Sequence, residues 1–160
     1  MSEILKIEEV LEKEGKYVGP TVGVSMLPML KNRRDTIVVR PKTEKLKALD
    51  VALYKRGDAY VLHRVLKPTE TGYIIRGDNC YSDEIVPEEA VFGVLTEFFR
   101  KDVHYYCTDK KYLRYAKRRV KTYKLRRFYL RAKGFVFRVG GKVLRALGLR
   151  KKKTNGEKQA

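Results

Sequence analysis

Apolar positions recur along this chain with two different periods. In residues 3–15, Ile4, Ile7 and Leu11 fall at helical spacing and Gly15 supplies a stop, which predicts a short N-terminal helix. Beyond it the apolar runs become short and rich in β-branched residues, with turn residues between them. They predict strands at 21–25 (TVGVS), 36–40 (TIVVR), 50–56 (DVALYKR) and 59–66 (AYVLHRVL), a fifth in GYIIRGDN and a sixth in AVFGVLTEFF. Pro41 ends the second strand, and Gly57–Asp58 between the third and fourth is a hairpin signal. Strands this short, with little helix between them, predict a mainly β domain built on a bent antiparallel sheet or half-open barrel.

From Lys111 the period changes again. Leu113, Ala116, Val120 and Tyr123 are spaced as on one helix face, and Val136, Val139, Val143 and Leu147 repeat the pattern after Gly134. Two basic amphipathic helices are expected here, the second weakened by Gly140 and Gly141. The expected organisation is thus a β-rich domain over residues 1–109 followed by a basic helical extension and tail over 110–160.

Charge sharpens this division. The 160 residues carry a formal net charge of +18. Residues 110–153 hold 19 Lys/Arg and no Asp/Glu, whereas residues 1–109 balance to −1. Three readings of such a cationic segment compete: an anionic membrane surface, nucleic acid, or a solvated helix that docks on an acidic partner protein or simply keeps the chain soluble. An anionic membrane surface is the favoured one, because Tyr, Phe and Leu are interleaved with the cations. Nucleic acid is the second choice: no base-reading motif is visible, and too few residues precede the first strand for a helix-turn-helix domain. No run approaches the roughly 20 apolar residues of a membrane span, and the acidic N-terminus does not resemble a secretory signal. A cytoplasmic protein, peripheral at the membrane, is expected. Cys80 and Cys107 have neither metal nor disulfide spacing, so reduced thiols are expected, with no metal or cofactor.

Three residues could carry chemistry. Ser25, in the stretch TVGVSMLPML, is a nucleophile candidate if a base and an oxyanion site lie beside it. Gly23 would let a substrate approach the backbone, and Pro28 would stiffen the following turn. His63 alternates with Val61 and Val65 on one face of its strand. That shelter disfavours its charged form and suits it to act as a base. Asp78, in RGDNCYSDE, could orient an imidazole or brace a loop, with Asp83 and Glu84 as further carboxylates nearby. Taken singly, each also fits an ordinary structural residue.

Together, GVSMLP, VLHRV and RGDN resemble the signal peptidase I family in its archaeal and endoplasmic-reticulum-like, histidine-type branch, part of a superfamily shared with LexA-type self-cleaving repressors. The resemblance spans about residues 20–98. It implies a bent-sheet fold and a serine endopeptidase without cofactor, acting on a peptide or precursor protein. Ser25 would be the nucleophile, His63 the general base and Asp78 the aspartate of the Gly-Asp-Asn box. Gly23, Val24, Met26 and Pro28 would line the substrate site. Glu84 stands where that branch commonly has a second aspartate, and Gly23 stands where some relatives have a serine that donates to the oxyanion. The alternative is a catalytically silent β domain that binds anionic membrane or nucleic acid through its basic C-terminal segment.

Overall fold

The computed structural model describes residues 6–129. Eight strands form one antiparallel sheet: β1 (Tyr17–Pro20), β2 (Thr36–Pro41), β3 (Val51–Arg56), β4 (Ala59–Pro68), β5 (Gly72–Arg76), β6 (Glu84–Pro87), β7 (Val91–Arg100) and β8 (Val103–Tyr106). Their order is β1-β2-β7-β3-β4-β5-β6, with β8 pairing the second half of β7. Helix α1 (Ile7–Glu14) precedes the sheet and α2 (Lys110–Lys121) follows it. The sheet curls into a half-barrel. Register shifts at Val38/Val39, Leu53/Tyr54 and Val65/Lys67 mark the irregularities where its strands bend.

The mainly β, half-open architecture agrees with the sequence pattern. Arg56 pairs with Ala59 across a Gly57–Asp58 turn, and Gly57 adopts φ 60°. The stretch 21–25, however, is not a strand. Gly23 has φ +93°, in the left-handed region, and Val22 and Val24 are exposed. Residues 21–35 instead form a loop closed at its base, where Thr21 donates from both N–H and Oγ1 to the Asp35 carbonyl at 2.8 and 2.9 Å. The first strand lies earlier, at Tyr17–Pro20. Strands β6 and β8, only four residues each, also lie outside the expected elements.

Strand β3 is buried on both faces and divides two apolar clusters. Val51 and Leu53 join Leu11, Met26, Met29, Leu30, Ile37, Leu95 and Phe98 on one face. Ala52 and Tyr54 join Val61, Val65, Tyr73, Ile75 and Val91 on the other. Tyr112 and Ala116 of α2 belong to the first cluster. The compact unit accordingly runs to Lys121, so that α2 completes the β domain and the expected boundary at 109/110 moves to 121/122. Residues 123–129 are helical and lie in the second unit, while the expected helix around 136–147 falls outside the described residues.

Ala116 is fully buried against this core. Ala116→Leu should overpack it and lower unfolding stability by about 1–3 kcal/mol in urea titration. An unchanged midpoint would mean that α2 is not docked on the sheet.

Candidate active site

Strand alternation delivers two adjacent residues to opposite faces of β4. His63 shares its face with Val61 and Val65, and Arg64 points to the other. Both are buried, at 2% and 0% exposure. Ala52 is the residue paired across from His63, and its small side chain leaves room for the imidazole.

The imidazole is fixed through Nδ1. Glu84 Oε1 lies 3.1 Å from this nitrogen and Tyr54 Oη also 3.1 Å. Tyr54 donates its proton to Glu84 Oε2 at 2.8 Å, and burial, followed by the Glu84 carboxylate, raises its pKa, so the phenol stays protonated. With the phenol hydrogen committed to Glu84, the His63 Nδ1–H must be the donor, toward Glu84 and the Tyr54 oxygen. Nε2 then carries the lone pair. Burial holds the His63 pKa below its ordinary 6.5, against the opposing pull of Glu84. The unfolded chain therefore takes up this proton first, and the contribution of the neutral imidazole to stability is lost as pH falls below about 6.5.

Nε2 faces the loop that follows β5. A methyl group built on Gly77 would sit 2.9 Å from His63 Nε2, 2.8 Å from the Ser25 carbonyl oxygen and 2.7 Å from Cys80 Sγ. Ser25, His63 and Cys80 thus converge on the bare Cα of Gly77, and a side chain there would separate them. The thiol itself lies 4.0 Å from Nε2, with its pKa raised chiefly by burial. Among the described residues the Ser25 hydroxyl and His63 form no direct hydrogen bond; the Ser25 backbone and the imidazole are neighbours across Gly77.

The Ser25 loop is clamped from the same side. Asn79 donates its N–H to the Ser25 carbonyl at 2.7 Å and its side-chain amide to the Val24 carbonyl at 3.2 Å. Arg119 of α2 donates to the carbonyls of Asp78 and Leu27 at 2.8 and 3.1 Å. Gly23 N–H is held by Asn32 Oδ1 at 2.9 Å.

Asp78 does not bond the imidazole. Its carboxylate receives Arg64 Nε and Nη2, each at 2.8 Å, and the Tyr115 hydroxyl at 3.1 Å. The remaining Arg64 hydrogens go to the Leu49 carbonyl and Tyr112 Oη, both at 2.9 Å, and to Met29 Sδ at 3.2 Å. All five guanidinium donors are engaged, so the buried charge is satisfied. Of the two functions open to Asp78 in the sequence, loop bracing is the one its contacts serve, and the carboxylate at His63 is Glu84. Asp83 pairs with Arg76 at 2.8 Å.

The expected substrate-contact residues divide. Gly23, Val24 and Pro28 are exposed. Met26 is buried at 3% within the core, where its sulfur faces the Asp78 N–H at 3.5 Å, and so anchors the loop from below. Sequence reasoning missed Arg64, Tyr112, Tyr115 and Arg119. The signal for Arg64 was a charged residue between Leu62 and Leu66 on an apolar strand face; nothing marked the three α2 residues apart from other aromatic and basic positions.

No family model and no curated protein matches the chain. Among the described residues no cluster of three or more His, Cys, Asp or Glu is arranged to hold a metal ion, and no helix is long and apolar enough to cross a membrane.

Removing one member of a buried, fully bonded ion pair strands the other. Asp78→Asn should therefore cost about 3–5 kcal/mol in unfolding stability, whereas replacing Arg64 and Asp78 together by Met and Leu should cost clearly less. Equal losses in the single and double variants would contradict the brace.

Proposed function

We propose that this protein is a serine endopeptidase of the signal-peptidase-like type, acting on a peptide or precursor protein at a membrane surface. The observation that carries the proposal is the convergence of the Ser25 backbone and His63 Nε2 on Gly77, with Nδ1 of the same imidazole held by Glu84. A serine becomes nucleophilic only when a base of suitable tautomer takes its proton, and the second ring nitrogen must be occupied to fix that tautomer.

In this mechanism the Ser25 hydroxyl attacks the scissile carbonyl while Nε2 of His63 accepts its proton. The imidazolium so formed is stabilised by Glu84, which is partly exposed but bonded by Tyr54 and Arg56. His63 then returns the proton to the leaving amine. Water, deprotonated in turn by His63, attacks the acyl carbonyl, and His63 passes that proton to the departing Ser25 oxygen as the acyl group leaves. The Ser25 N–H, which has no acceptor among the described residues, would serve as a donor to the oxyanion. Asp78 and Arg64 take no proton; they hold the 77–80 loop against Ser25.

The membrane part of the proposal rests on the second unit and on composition. Leu125, Phe128 and Tyr129 are exposed at helical spacing among Lys124, Arg126 and Arg127, the pattern of an interfacial helix.

The test is cleavage of a complex peptide library, read by mass spectrometry, with kcat/KM of the best substrate followed against pH. Ser25→Ala should abolish cleavage. The wild-type acid limb should lie below pH 6.5, because burial depresses the His63 pKa. In Glu84→Gln that limb should move still lower, since the carboxylate that raises the pKa is gone, and the rate should fall about 10²-fold or more as the imidazolium loses its partner. Cleavage by Ser25→Ala at the wild-type rate, or an acid limb above 6.5, would overturn the proposal.

A further inference from the structure

A concavity whose lining includes neither Ser25 nor His63 lies between α2 and the β7–β8 hairpin. It encloses about 580 Å³. Lys111, Arg114 and Arg118, spaced three and four residues apart on α2, share it with Arg100 at the end of β7. Its buried residues are apolar in character: Met29 and Phe98 at 3% exposure and Tyr112 at 6%. Tyr105 stacks on Phe98 with ring centroids 5.0 Å apart. Among the described residues none that lines it is acidic.

Four cations over an apolar, aromatic base match an anionic group carried on an apolar body. The hairpin that supplies Arg100 and Tyr105 also exposes Val103 and Tyr106, at 54% and 48%. Apolar residues beside a cationic site suit insertion at a bilayer interface and are poorly placed against a phosphate backbone. A single concavity with a core-like base also differs from the extended cationic groove that tracks a nucleic-acid strand.

We propose that this concavity binds the phosphate headgroup of an anionic phospholipid. The proposal rests on the membrane part of the function above and gives it a defined site; it does not depend on whether Ser25 is a nucleophile. Its walls reach the catalytic domain's brace directly. Tyr112 Oη accepts from Arg64 and Tyr115 Oη donates to Asp78, so the headgroup would sit against the two tyrosines that hold the buried ion pair.

The full chain should sediment with mixed phosphatidylcholine–phosphatidylglycerol vesicles and not with phosphatidylcholine alone. Arg100→Gln with Arg114→Gln should weaken this binding by at least about tenfold. The control pair Lys110→Gln with Lys117→Gln removes the same charge from exposed α2 positions that do not line the concavity, and should change binding by much less. Thermal unfolding of both variants verifies that they fold. Soluble short-chain phosphatidylglycerol should shift the resonances of Tyr105 and Tyr112. Equal losses in the two charge pairs would overturn the headgroup site while leaving membrane attachment standing. Failure of the wild-type chain to bind vesicles would overturn both. Tighter occupation of the concavity by inorganic phosphate or by a single-stranded DNA oligonucleotide than by the short-chain lipid would overturn the lipid assignment.

Discussion

The buried pair of Arg64 and Asp78 holds this domain's working parts in register. Arg64 leaves β4 on the face opposite His63, and Asp78 lies in the loop after β5. Their bidentate contact therefore fixes where that loop crosses the end of the sheet. Two charges removed from water cost several kcal/mol each unless their bonding is complete, and here it is completed by Leu49, Met29, Tyr112 and Tyr115. Strand, loop and C-terminal helix thus become one mechanical unit, and the Asp78 carbonyl extends it to Arg119.

The consequence for chemistry is positional. With the loop fixed, Gly77 lies between Ser25 and His63, and Asn79 grips the Ser25 carbonyl. The electrostatic arrangement is separate from this brace. One carboxylate, Glu84, serves the imidazole from partly exposed surroundings, while the other, Asp78, is neutralised by Arg64 in the interior. Two acids six residues apart, one in the loop after β5 and one opening β6, thereby take different roles, because one meets a guanidinium and the other a histidine and a phenol.

Much of the fold was legible because strand alternation and turn residues act locally. The β3–β4 hairpin and the shared face of Val61, His63 and Val65 follow from period and turn chemistry alone. The segment around Ser25 misled for a physical reason. Its alternating valines read as a strand, but Gly23 turns the chain and leaves both valines in solvent, while Met26, Met29 and Leu30 make the inward contacts. The division of labour between Asp78 and Glu84 was not legible either, since it is set by which long-range partner each side chain meets. Likewise α2 looked like part of a basic helical extension following the β domain. Most of its charge lies on the outward face, while Tyr112 and Ala116 bind it to the core and Arg119 turns inward to the Asp78 and Leu27 carbonyls.

The central claim is that folding brings the Ser25 hydroxyl within reach of an activated imidazole. A serine-directed phosphonate, followed by peptide mapping, tests it most directly. The account predicts a single adduct on Ser25, forming at least about a hundredfold more slowly in His63→Ala. An adduct forming equally fast without the imidazole, or no adduct on Ser25 at all, would contradict it.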